Sequence, residues 1–115
     1  MGQLESLWNF HATPDMWEYP DIRPVVAIDC EMGTAESGDS ELIRITLIDY
    51  FSSAVLVDNL VYPDVKIANY NTRYSGVTRR DMNDSLTNGK CLRGKKGARE
   101  AVWRFVGRDT VVVGH

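Results

Sequence analysis

The 115 residues include 13 Lys+Arg, 16 Asp+Glu and 43% hydrophobic side chains, material for one domain and no more. The longest apolar runs, Val25–Ile28, Ala54–Val57 and Val111–Val113, fall far short of the roughly 18–20 residues a membrane-spanning helix needs, and the acidic N-terminal segment lacks the basic n-region of a secretory signal. The net charge of −3 hides a split: residues 1–64 carry twelve acids and two bases, residues 65–115 four acids and eleven bases, a pattern that suits a polyanion held by Lys/Arg beside carboxylate-bound metal, or simply a solvated surface.

In chain order, residues 1–23 are an N-terminal arm mixing Trp8, Phe10, Trp17 and Tyr19 with Pro14 and Pro20, and residues 24–115 are the domain proper. Pro24 precedes Val25-Val26-Ala27-Ile28, four apolar residues without alternation, which predict a strand buried on both faces. Met32–Ser40, with Gly33, Gly38 and Asp39, is expected to be a loop. Leu42–Tyr50 alternates, with Ile43, Ile45 and Leu47 on one face and Arg44, Thr46 and Ile48 on the other. With Ala54–Val61 it makes an antiparallel hairpin around Ser52-Ser53.

Pro63–Thr78 is expected to be irregular. Thr78-Arg79-Arg80-Asp81 reads as a capping box opening a short helix. Asn88–Gly97, with three glycines and four bases, is expected to be a flexible basic loop. Ala98, Ala101, Val102, Phe105 and Val106 then mark an amphipathic helix ended by Gly107. A helix leading into the apolar strand Thr110–Val113 implies a crossover that lays this strand parallel to the first. The two cysteines, Cys30 and Cys91, are too few for a disulfide scaffold and are expected to be reduced thiols of an intracellular protein.

Alternation puts Asp29 and Glu31 on one face at the end of the first strand, roughly 7 Å apart, with Cys30 on the other. Carboxylates at that spacing can share divalent cations, as in-line phosphoryl displacement requires, and strand carboxyl ends are where α/β sheets bind ligands; an acid at a strand end is also commonly just solvated. His115 follows the last strand, on the rim expected for Asp29 and Glu31 or as an incidental surface group. In Tyr70–Thr78, Arg73 offers a fork of donors for phosphate or ribose oxygens and Tyr70 or Tyr74 a ring for a base. The alternative there is a structured loop whose Asn71 and Arg73 satisfy backbone groups. Cys30, Cys91, His11 and His115 have no zinc-type spacing.

Three segments, Ala27-Ile28-Asp29-Cys30-Glu31-Met32, Tyr70-Asn71-Thr72-Arg73-Tyr74-Ser75-Gly76-Val77-Thr78 and Thr110-Val111-Val112-Val113-Gly114-His115, resemble in order and spacing the Rex-type RNA exonucleases of the DEDD superfamily. The resemblance covers residues 24–115. It implies an α/β, RNase H-like mixed sheet, incomplete in this chain, and 3′–5′ hydrolysis of single-stranded RNA, with DNA left open. It further implies Asp29 and Glu31 as catalytic ligands of two Mg²⁺ or Mn²⁺ ions, with Met32, Asn71, Arg73 and His115 on the substrate side. In the family a third acid, a catalytic histidine and a fourth acid follow the Gly-His, so the 115 residues alone are expected to hydrolyse little. The alternative is a non-catalytic exonuclease-like protein that binds RNA or protein. An apolar edge at Thr110–Val113 is expected to pair copies into a homo-oligomer.

Overall fold

A computed structural model describes residues 21–114. Six strands form one mixed sheet: β1 (Val25–Ala35), β2 (Ser40–Asp49), β3 (Val55–Tyr62), β4 (Ile67–Asn69), β5 (Leu92–Arg93) and β6 (Val111–Gly114). The order is β4-β1-β2-β3-β5, with β6 also on β1. The described residues also form three helices: α1 (Thr72–Ser75), α2 (Arg79–Thr87) and α3 (Gly94–Trp103). No helix among the described residues is long and apolar enough to cross a membrane.

The β2–β3 hairpin forms, with Leu47 opposite Val57 and Thr46 opposite Asp58, and Ile45 and Leu47 share a face as expected, but Ile43, expected with them, joins Leu60 and Tyr62 of the opposite face. The inward row Val26, Ile45, Leu47, Val57 and Val61 packs against Ala98, Ala101 and Val102 of α3. Leu47 is fully buried, which contributes about 1.5–3 kcal/mol relative to exposure. A second cluster, Ile43, Val77 and Met82 with Leu60, Tyr62 and Tyr70, seats the start of α2. That helix opens on the expected box: the Asp81 N–H donates to Thr78 Oγ1 and the Thr78 N–H to Asp81 Oδ2, both at 3.0 Å. The last strand runs parallel to the first, Val25 opposite Val111 through Ile28 opposite Gly114.

Three boundaries differ from expectation. Met32–Ser40 is mostly strand: β1 continues to Ala35, pairs with β2 through Thr34–Ser40, and leaves only residues 36–39 to turn at Gly38. The register shifts after Glu31, where Glu31 faces Arg44 but Met32 faces Leu42, so Ile43 is an extra residue of a bulge. Gly33 fits there because an added Cβ would lie 3.2 Å from the Asn69 carbonyl oxygen. The segment expected to be irregular holds β4, which pairs with the end of β1, and α1. The basic loop is shorter than expected, since α3 starts at Gly94. The helix also ends early, at Trp103, where the Phe105 N–H donates to Val102 O at 2.9 Å and tightens the exit; Phe105 and Val106 reach the core from outside it.

Residues 1–20 of the expected arm lie outside the described residues, as does His115. The arm's last residue, Arg23, is tied down: its N–H donates to Phe105 O at 2.9 Å, its carbonyl accepts from Thr110 Oγ1 at 2.7 Å, and its guanidinium pairs with Asp49 at 3.1 Å.

Candidate functional site

One side of β1 is shared by two short strands. β6 covers Val25–Ile28 and β4 covers Thr34–Ala35, so among the described residues Asp29–Gly33 has no ladder partner on that side. Asp29 and Glu31 stand at this gap. Their cross-strand partners on β2 are Thr46 and Arg44, so the two carboxylates share the sheet face with those side chains. Asp29 is exposed and Glu31 half-buried. Cys30 between them alternates to the opposite face. Partial desolvation pushes its thiol up, and the charges of Asp29 and Glu31 push it further, which keeps it protonated and poorly nucleophilic at neutral pH.

Alternation along β2 and β3 extends the face to residues the motif reading passed over. Asp58 sits opposite Thr46 and accepts from Arg44 Nε at 3.2 Å, Arg44 Nη2 at 3.0 Å and Thr46 Oγ1 at 3.4 Å. Arg44 is therefore held beside Glu31 by a carboxylate on its other side. The pattern that places Ile45 and Leu47 inward already assigned Arg44 and Thr46 to this face; the hairpin register adds Asp58.

The Tyr70–Thr78 segment reaches the same end of β1. Asn71 adopts a left-handed backbone, φ 52° and ψ 40°, which asparagine tolerates better than most residues. Its side-chain amide donates to Met32 O at 3.3 Å and to Thr34 Oγ1 at 3.2 Å. That is the structured-loop alternative for Asn71: it fastens α1 to β1 one residue past Glu31. Ser75 Oγ donates to Tyr70 O and accepts from the Val77 N–H, closing the loop internally. Tyr70 is committed to the second cluster, with the Arg79 guanidinium 5.3 Å from its ring centre. Tyr74 is the open ring, 82% exposed, with Arg73 at 5.9 Å. The structure thus ties α1, which carries Arg73 and Tyr74, to β1 at Met32 and Thr34, next along the strand from Asp29 and Glu31.

Hard oxygen donors such as Asp29 and Glu31 match Mg²⁺ and Mn²⁺ in chemistry. Among the described residues no group of three or more His, Cys, Asp and Glu is placed to hold a metal ion.

The acids expected at the end of the first strand lie midway along it, because β1 runs on to Ala35; a mixed sheet with this pair on one face of β1 and α3 packed on the other defines an RNase H-like α/β fold. No protein-family model matches the chain, but its likeness to individual proteins is extensive. RNA exonuclease 3 of Candida albicans is 36% identical over 91 residues, covering 79% of this chain and 20% of that protein. The human RNA exonuclease 1 homolog is 33% identical over 115 residues, covering 99% of this chain and 9% of that protein. In structure, the Saccharomyces cerevisiae PAN2 pseudoubiquitin-hydrolase–RNase module aligns over 89% of this chain and 18% of its own, with TM-score 0.63 and 26% identity. The apo Pan2 module of the same yeast, solved with AAUUAA RNA, aligns over 78% of this chain and 17% of its own, with TM-score 0.55 and 25% identity. The chain carries part of a Rex-type RNA exonuclease domain of the DEDD superfamily, and it spans a fifth or less of the length of those relatives.

Proposed function

We propose that this chain supplies the first metal-binding acids and the terminal-nucleotide contacts of a metal-dependent 3′–5′ exoribonuclease. The observation that carries the reading is the placement of Asp29 and Glu31 on one open face of β1, at the gap between β6 and β4, with α1, which carries Arg73, fastened to the following residues of that strand through Asn71. Mg²⁺ or Mn²⁺ bound to the two carboxylates would supply Lewis acidity for the attacking water and the leaving 3′ oxygen. The chain's own residues do the positioning. Asn71 holds α1 against β1, Arg73 offers a fork of donors to ribose or phosphate oxygens, Tyr74 offers a ring face to the last base, and Met32 packs against the sugar. His115 is assigned to the same rim by the motif alone.

Positioning and charge stabilisation supply most of the catalysis in phosphoryl transfer, so removing a ligand is expected to be severe. In the gene product that carries this chain, Asp29→Ala should lower metal-dependent hydrolysis of single-stranded RNA by about a hundredfold or more while leaving the melting temperature within a few degrees. Undiminished hydrolysis would remove the assignment. The 115 residues by themselves should hydrolyse RNA far more slowly than the gene product. RNA binding without metal-dependent hydrolysis in the gene product would instead establish the non-catalytic alternative.

A further inference from the structure

The outward side of α3 is not used by the site described above. We infer that its stripe Lys96, Arg99 and Trp103 is a second contact surface for single-stranded RNA, on the face of the sheet opposite Asp29 and Glu31. The inference takes the identity of the polyanion from the exoribonuclease reading and the location from the geometry of α3.

The helix is seated by Ala98, Ala101 and Val102 against Ile45 and Leu47, which alternate with Arg44 and Thr46 along β2. Those two residues face Glu31 and Asp29, so α3 lies behind the acids. Lys96, Arg99 and Trp103, at i, i+3 and i+7, fall within about 60° of one another around the helix and away from the seated side.

Trp103 is 62% exposed, although a tryptophan ordinarily buries 150–250 Å² in a core or an interface. The Arg99 guanidinium lies 5.9 Å from its ring centre, so this cation faces an aromatic surface. The flanking bases Lys95 and Arg104 are engaged by carboxylates, Glu41 at 3.1 Å and Asp21 at 3.4 Å. Glu100 is the single acid of α3 and borders the stripe next to Lys96.

Cations interleaved with an open ring match a partner that is both polyanionic and rich in π-faces. Single-stranded nucleic acid combines the two, and such surfaces hold it by phosphate contacts and base stacking. An acidic peptide would leave the indole unused, and a membrane surface requires a broader apolar face than one ring provides.

The test is fluorescence anisotropy of labelled single-stranded RNA, about 20 nucleotides long, with EDTA present so that no hydrolysis occurs. Lys96→Glu/Arg99→Glu should weaken binding about tenfold or more and reduce the slope of log K against log salt by about one to two. Trp103→Ala should cost about tenfold, with Trp103→Phe retaining most of the affinity. Glu100→Gln should tighten binding, a gain that misfolding cannot mimic. Asp29→Ala, which removes a carboxylate from the catalytic face, should bind RNA no more weakly than the parent, which separates this surface from the catalytic reading: activity lost in Asp29→Ala with RNA affinity unmoved in the α3 variants would overturn only the inference made here. The matched reversal Lys66→Glu/Arg80→Glu carries the same change in net charge. Equal weakening by both pairs would reduce the effect to bulk charge and overturn the stripe. So would anionic phosphatidylserine vesicles binding as tightly as RNA with the same dependence on Arg99 and Trp103.

Discussion

Gly94 opens α3 with φ +68°, a conformation L side chains rarely adopt, and an added Cβ would collide with the Asp64 carboxylate. Left-handed backbone costs a non-glycine residue roughly 1–2 kcal/mol, and the collision adds to it. Gly94→Ala should therefore destabilise the protein by about 1–2 kcal/mol or more in urea unfolding. Placing Asp64→Ala behind it should recover the steric part and leave the backbone part. A Gly94→Ala midpoint equal to the parent's would contradict the geometry. The same residue shows why sequence misjudged this stretch. Gly94 and Gly97 among lysines look like a flexible loop, because composition cannot distinguish a glycine that frees the chain from one required by a close approach. Asn71 teaches the converse: the motif draws it toward the substrate, yet what it contacts is β1, a relation invisible until Tyr70–Thr78 is folded against Met32.

At the level of elements, period and capping were legible. The alternation of β2 from Arg44 onward, the Thr78–Asp81 box and the parallel return of β6 all followed from local pattern. The bulge at Glu31/Met32 did not, because it depends on which residues of two strands meet; nor did β4, a three-residue strand sustained by the end of β1. The β2–β3 turn has a device of its own. Asp49 Oδ1 accepts from the Phe51 and Ser52 N–H groups at 2.9 and 3.0 Å, and Oδ2 takes the Arg23 guanidinium at 3.1 Å. The Ser52 backbone bond foremost, with those of Phe51 and Arg23, holds the Asp49 carboxyl below its usual value against a smaller opposing effect of desolvation. A carboxylate whose pKa is lower folded than unfolded contributes stability that is complete above its ordinary pKa of about 3.9 and is lost as pH falls through the folded value. The urea midpoint of the parent should thus drop between about pH 5 and pH 3. Asp49→Asn should start lower at neutral pH and fall less over that range. Parallel pH profiles would show that Asp49 adds nothing to the acid response.

At the scale of the whole molecule the charge split acquires a layout. Among the described residues, Asp29, Glu31, Glu41, Asp49 and Asp58 of the first half lie on β1–β3, with Asp29, Glu31 and Asp58 on one face, while Arg73, Arg79, Arg80, Lys95, Lys96 and Arg99 of the second half lie on α1, α2 and α3. The sheet that joins them has an open border. β6 pairs with β1 alone among the described residues, and Val112 and Val113 stay 46% and 40% exposed. An apolar strand with a free row of N–H and C=O groups is a template for another strand, and a chain that spans a fifth or less of its relatives' length can meet that need through the rest of a longer polypeptide or through a second copy. In the 115-residue protein the rest of a longer polypeptide is not there to contribute, and a second copy can take its place. Sedimentation velocity should therefore show concentration-dependent association at micromolar protein, and Val112→Lys, which puts a charge on the edge, should return the protein to monomer with its melting temperature little changed. A clean monomer for the parent at those concentrations would mean that the β6 edge is protected from within the chain, and association unaltered by Val112→Lys would place the contact on a surface other than this edge.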